Sequence, residues 1–328
     1  MPKISVVIPV YNKAPYLKNT ISSVLNQSFK DFELILVNDG STDQSEEIIQ
    51  SFSDNRIIYI EQENQGVAIA RNNGAKIAKA SLIAFLDADD LWYANHLSTL
   101  WQLQQNYSDA AFFATAYKIK YKHYQKTFAL NIAEKDILID KFYQYDYGQG
   151  LFFVSNFAIR KNIFLQEGGF KPKIHAEDTE FFLRLGLKYP MAYSANVTMQ
   201  HLNAAKNSLF AQYKLAEKAR LLNFFKEASQ KDKDLKRYLD IHRFTWAIDY
   251  KIGKNKHKAQ ELIREISPQN LNWKQKLLLK TPGIILRFLK YVQHKGKNYG
   301  LSFFIYHSPK QQETSLAPLA KSKQKRHN

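Results

Sequence analysis

The chain has 328 residues and 45% apolar content, enough for one core of about 200 residues plus an appended region. It has no cysteine, which excludes disulfides and thiolate metal sites and is compatible with a reducing compartment. The net charge of +17 is unevenly placed: residues 270–328 carry twelve Lys and Arg against Glu313 alone, a net +11. A basic stretch interleaved with Leu, Ile, Phe, Tyr and Trp is expected on an anionic membrane surface or on nucleic acid.

In chain order, the apolar run after Met1 is too short for a signal peptide and reads as a strand. Residues 4–118 alternate short apolar runs with helical patterns, the βαβ pattern of a parallel sheet. Strands are predicted near 4–10, 33–38, 56–61, 81–87 and 110–118, with helices near 14–27, 42–52, 66–79 and 93–106 between them. Asp39 to Asp43 is turn chemistry running into a helix, with Ser41 or Thr42 as candidate caps. Residues 119–150 are rich in Lys and Tyr and are assigned to an insertion or acceptor-facing loop. Residues 151–160 and Met191 to Gln200 read as further strands, and Ala176 to Tyr189 as an amphipathic helix. Beyond about residue 204 the pattern is helical, with charged faces at 211–228 and 231–252, and the stretch from Pro309 has a disordered composition. No transmembrane helix is expected, since Thr281 to Val292 is broken by Arg287 and Lys290 and is shorter than the roughly 20 residues that span a bilayer.

Two of the strands end in carboxylates: 34–37 run into Asp39, and 82–86 run into Asp87, Asp89 and Asp90. In an open parallel sheet such ends share one edge, where ligands bind. Crowded acids need a cation or a positive partner, and a hard ion such as Mg²⁺ or Mn²⁺ takes oxygen ligands while keeping places for water and phosphates. A polar turn in which Asp90 caps the next helix also fits. Arg71 lies on a helix that begins near Gly66 and is either a ligand contact or an exposed helical arginine. Glu177 and Asp178 open a helix, where the dipole alone favours acids and where a general base would also serve. His201 follows a strand and could complete a metal shell or simply be packed.

Together these residues resemble family 2 glycosyltransferases of the GT-A fold. Val6 to Asn12, Val37 to Asp43, Asn64 to Gly74, Asp87 to Asp90, and Glu177 with Asp178 occur in that family's order, over roughly residues 3–210. The resemblance implies a Rossmann-like, mostly parallel central sheet flanked by helices, followed by a helical C-terminal region. It implies an inverting enzyme that moves a sugar from a nucleotide-diphosphate donor, commonly a UDP-sugar, to an acceptor hydroxyl. Pro9 and Tyr11 would then line the base pocket, Asp39 would bond the pyrimidine edge, and Arg71 would contact base or phosphate. Asp87 would hold the ribose and the donor sugar, Asp89 would ligate Mn²⁺ or Mg²⁺, and His201 would complete the metal or diphosphate contacts. Asp178 would be the catalytic base, supported by Glu177. The Gln-x-x-Arg-Trp motif of processive synthases is absent, which points to one or a few sugars per encounter. His201 is followed by Asn207 and Ser208, at a loosely matched distance from the family's downstream Asn-Ser.

The expected organisation is a GT-A domain over 1–210, a basic helical region over 211–308 that associates with anionic membrane, and a disordered tail over 309–328. The expected acceptor is a lipid-linked or cell-surface glycan, and the expected location is the cytoplasmic face of the membrane. A sugar nucleotidyltransferase would need a glycine-rich, basic phosphate loop after the first strand, and Val10 to Pro15 is not one. A nucleic-acid-binding protein would suit the net charge, but no RNA-binding motif is present, so no nucleic-acid partner is expected.

Overall fold

The computed structural model describes residues 1–121, 125–146, 150–172, 174, 176–202 and 221–298. Its first half is a series of strand–helix units: β1 (Ile4–Val10), α1 (Ala14–Leu25), β2 (Phe32–Asp39), α2 (Ser45–Gln50), β3 (Ile57–Gln62), α3 (Val67–Ile77) and β4 (Leu82–Phe85). The strands pair in parallel in the order β3-β2-β1-β4. Side chains alternate across a strand. Ile4, Val6 and Ile8 of β1 therefore join Leu17 and Ile21 of α1 on one face, while Val7 joins Ala70 and Ala75 of α3 on the other. Covering both faces explains why these strands read as continuous apolar runs. Gly74 lets α3 approach the sheet: a Cβ there would meet Val7 Cγ1 at 2.5 Å.

The second half comprises β5 (Leu91–Trp92), α4 (His96–Asn106), β6 (Phe112–Lys120), β7 (Gln125–Phe128), β8 (Asp136–Ile139), β9 (Phe157–Arg160), α5 (Lys161–Gln166), α6 (Glu177–Gly186) and β10 (Met191–Leu202). β6 and β10 are parallel partners. β9 inserts antiparallel between β4 and β6, β5 and β8 pair antiparallel with β10, and β7 with β6. The sheet is thus parallel on its N-terminal side and mixed beyond β4.

Several boundaries differ from the sequence reading. Residues 119–150 are not only a loop, because β7 and β8 extend the sheet. The strand expected over 151–160 is confined to Phe157–Arg160, since Val154–Asn156 form a tight 3-10 turn. The helix expected from 93 starts at His96 because Leu91 and Trp92 first pair with Gln200 and Met199. Neither Ser41 nor Thr42 caps α2. Ser41 Oγ and the Thr42 N–H instead bond Asn12 and tie the turn to the end of β1.

The C-terminal helices are α7 (Lys226–Lys231), α8 (Lys233–Ile252), α9 (Lys256–Glu265), α10 (Trp273–Lys280) and α11 (Gly283–Asn298). Asp232 caps α8 by accepting from the Asp234 and Leu235 N–H groups. Phe244, Ile248, Ile266, Leu278 and Leu286 form a separate apolar cluster among them. α8 also docks on the sheet domain: Lys141 and the Tyr143 hydroxyl donate to Asp232, and Gln144 donates to Asp234. The expected helix over 211–228 lies outside the described residues up to 220, as do Asn207, Ser208 and the tail from Pro309. Among the described residues no helix is long and apolar enough to cross a membrane.

Candidate functional site

β4 ends at Phe85, and the acids from Asp87 to Asp90 follow at the carboxyl edge of the sheet. Each takes a different partner. Asp87 Oδ1 accepts from Arg71 Nη2 at 2.7 Å. Asp89 Oδ2 meets Lys13 Nζ at 2.6 Å. Asp90, almost wholly buried, accepts from the Ser155 hydroxyl at 2.6 Å and sits 2.7 Å from His201 Nδ1. Asp90 is therefore an internal anchor rather than a helix cap. Burial raises its pKa above the usual carboxylate range, with His201 opposing that shift.

Arg71 joins three segments. It projects from α3 into the protein and donates Nη1 to Glu177 Oε1 at 2.9 Å as well as Nη2 to Asp87. Its guanidinium carbon lies 5.2 Å from the centre of the Phe170 ring. Burial works against its charge, yet Asp87 and Glu177 outweigh burial and hold it above its ordinary value. Its Nε is buried without a hydrogen-bond partner among the described residues.

Glu177 and Asp178 open α6 directly after Ala176, which adopts φ 66°. That left-handed conformation is costly for a residue with a Cβ. Burial raises the Glu177 pKa, the Asp178 charge adds to the rise, and Arg71 opposes it. Asp178 is half-buried, and its Oδ1 accepts from the Thr179 N–H at 2.6 Å.

His201 lies near the end of β10 and stacks on Phe153, with ring centres 5.0 Å apart. Burial lowers its affinity for a proton, but Asp90 prevails and the net shift is upward. Engaging Nδ1 fixes the ring and leaves Nε2 as the outward nitrogen. Ser155 binds the arrangement together: its hydroxyl oxygen accepts from the Asp87 N–H at 3.0 Å, and its carbonyl accepts from Trp92 Nε1 at 2.6 Å.

Asp39 plays a different local part. Its Oδ1 accepts from Gln62 Nε2 and the Gln65 N–H, and its Oδ2 from the Gly66 N–H, all within 2.9 Å. Gly66 has φ 91°, so a glycine suits the turn that this carboxylate clasps before α3. Pro9 is buried in β1 beside Val37, while Tyr11, just past the strand, is 47% exposed.

The structure thus brings Asp87, Arg71 and Glu177 into direct contact and adds Asp178 beside them. It links His201 to the acidic run through Asp90. Asp39 reaches the same neighbourhood only through the start of α3. Among the described residues no three His, Asp or Glu side chains are arranged to hold an ion together. Sequence reasoning missed Lys13 and Ser155, and read Asp90 as a member of the acidic cluster or as a helix cap without a bonding partner. The Asp90 signal was its place in the acidic run, whereas Ser155 has no local signal at all.

This architecture has solved counterparts. TarS residues 1–349 from Staphylococcus aureus, in complex with UDP-GlcNAc, superposes with a TM-score of 0.67 at 16% identity, covering 92% of this chain and 93% of that one. The same protein with UDP gives 0.66. The likeness establishes the GT-A-like fold. Glycosyltransferase GlyA of Streptococcus pneumoniae serotype 4 is 37% identical over 153 residues, 46% of this chain. Glycosyltransferase GlyG of the same organism is 35% identical over 153 residues. These matches span only 18% of GlyA and 42% of GlyG. The model of glycosyl transferase family 2 matches residues 5–168, half of the chain and the segment that carries Asp39, Arg71 and the Asp87 to Asp90 run. The chain belongs to glycosyl transferase family 2.

Proposed function

We propose that this chain transfers a sugar from a UDP-sugar to an acceptor hydroxyl with inversion at the anomeric carbon. The observation that carries the proposal is the buried Arg71, which ties the acidic end of β4 to the Glu177–Asp178 start of α6. A donor-binding edge and a candidate base are thereby held in one rigid arrangement. The UDP and UDP-GlcNAc complexes of TarS support the choice of nucleotide, and the exposed ring of Tyr11 offers a face for its base.

Asp178 is the proposed base. Its Oδ1 is engaged by Thr179, so Oδ2 is the oxygen that would receive the proton of the attacking hydroxyl. Glu177, held by Arg71, positions it. Displacement passes through an oxocarbenium-like state while charge grows on the departing diphosphate.

The residue types suit a hard divalent ion, with Asp89 and His201 as its two nearest protein ligands and water or substrate phosphate supplying the others. Asp89 and Asp87 are oxygen donors at the sheet edge, and Asp90 orients His201 in the manner of a carboxylate–histidine pair behind a metal. Asp89 would hold Mn²⁺ or Mg²⁺, with His201 Nε2 beside it, and such an ion neutralises charge on the leaving diphosphate when bound. The ammonium of Lys13 now balances Asp89. The proposed acceptor is a lipid-linked or cell-surface glycan.

The test is a panel of UDP-, GDP- and dTDP-sugars with Mn²⁺, read as nucleotide release and as a shift in Tm. UDP-sugars should give both. Asp178→Asn should lower turnover by about 10²–10⁴ and keep the Tm shift, and equal loss of binding and turnover would remove Asp178 from the role of base.

A further inference from the structure

The two last described helices expose an apolar stripe among the described residues. In α11, Ile284, Phe288 and Tyr291 follow i, i+4, i+7 spacing and so share one face. Ile284 is 69% and Phe288 65% exposed, whereas Leu286, on the opposite side, is fully buried in the helical cluster. In α10, Trp273 is 70% exposed and Leu277 lies one turn on, also exposed, while Leu278 faces inward. Large side chains left in water this way, several along one helix pair, mark an interaction surface.

Charge selects the partner. No Asp or Glu occurs between Glu265 and Glu313. Lys274, Lys276 and Lys280 are exposed on α10, and the Lys274 ammonium lies 5.5 Å from the centre of the Trp273 ring. We infer that α10 and α11 form a docking face for an anionic lipid bilayer, lying in the interface with Trp273, Phe288 and Ile284 inserted and the lysines at headgroup level. A second copy of the chain is the poorer occupant, because a two-fold contact sets the same basic surface against itself. Lipid complements both halves of the pattern: apolar side chains enter the acyl boundary and cations meet anionic headgroups. Tryptophan and tyrosine suit that boundary, being apolar in body and polar at one edge. The helices are too polar to cross it. The face is separate from the acidic crevice, so the inference does not depend on the donor or the acceptor.

The experiment uses the full chain with vesicles of phosphatidylcholine alone and of phosphatidylcholine mixed with phosphatidylglycerol. Co-sedimentation should require the anionic lipid and weaken with salt. Ile284→Asp and Phe288→Asp, both at exposed sites and both expected to keep the wild-type Tm, should each weaken it roughly tenfold. The fluorescence difference between wild type and Trp273→Phe isolates one of four tryptophans; it should be solvent-like without vesicles and shift to the blue with the mixed ones. Nucleotide release from a soluble donor should be unchanged in these variants. Sedimentation that ignores both aspartate substitutions overturns the inference. So does a Trp273 signal already blue-shifted in the free chain, which would mean that another segment covers it. A concentration-dependent dimer abolished by the same substitutions would assign the face to a second copy instead.

Discussion

Replacing Arg71 by methionine leaves the Glu177 carboxyl buried without its guanidinium. The Glu177 end sets the magnitude, because its side chain and that of Arg71 are 8% and 4% exposed. Asp87 is 34% exposed, and water replaces much of what that half of the bridge supplies. Removing one partner of a buried pair costs about 3–5 kcal/mol, and at about 2–4 °C per kcal/mol the fall in Tm should be roughly 6–20 °C at neutral pH. The dependence on pH carries the diagnosis. Glu177 already sits above its ordinary value of 4.5, and losing Arg71 raises it further. An acid whose folded value is raised takes up a proton on folding. The penalty should therefore be small below the ordinary value, grow as pH rises, and level off above the folded value. Thermal unfolding of Arg71→Met across the acidic to neutral range measures this directly, and the double variant Arg71→Met/Glu177→Gln should recover most of the loss because no charge remains buried. A penalty that is flat with pH, or a double variant as unstable as the two single losses added, would refute the ion-pair account.

Other outcomes follow from local geometry. Asp39→Asn keeps one acceptor oxygen where two now hold the Gln62 amide and the Gln65 and Gly66 N–H groups. It should cost about 1–3 kcal/mol in a denaturant melt, with faster amide exchange at the start of α3. Gly74→Ala places a methyl 2.5 Å from Val7 Cγ1 and 3.1 Å from Val37 Cγ2, and overpacking of this kind should cost about 1–3 kcal/mol. Burial holds His96 down to about 3 and His242 to about 4. For a histidine lowered in this way, stability is complete above the ordinary value of 6.5 and declines as pH falls below it. His96→Phe retains a ring against Trp92, now stacked at 4.1 Å, and should flatten part of the acid limb of a Tm–pH curve while His242 keeps its own share.

The parallel half of the sheet was legible because its strands obey local rules: apolar runs of four to eight residues, helical periodicity between them, and carboxylates at their ends. The site residues were legible as residue types, since Asp87, Arg71 and Glu177 stood out in their motifs. Their bonding was not. Arg71 and Glu177 are 106 positions apart, and no periodicity reports which acid an arginine will face. β9 was drawn too long, and its direction went unread for a related reason: four residues that pair antiparallel inside a parallel sheet look like any short apolar run. Lys13 was read only as a residue that fails to make a phosphate loop, because its contact with Asp89 spans 76 positions.

The place of β9 bears on how the chain is made. As the polypeptide leaves the ribosome, Leu82–Phe85 can zip onto β1 at once. Its other flank waits for Phe157–Arg160, and β6 cannot join the growing sheet before then. Throughout that interval an apolar strand offers its open hydrogen-bonding row to any passing chain. The late arrival of one short segment closes that hazard and, through Ser155 just ahead of it, locks Asp87 and Asp90 in the same stroke. One short segment thus both closes the sheet and fixes the first half of the acidic crevice, before Glu177 and His201 complete it.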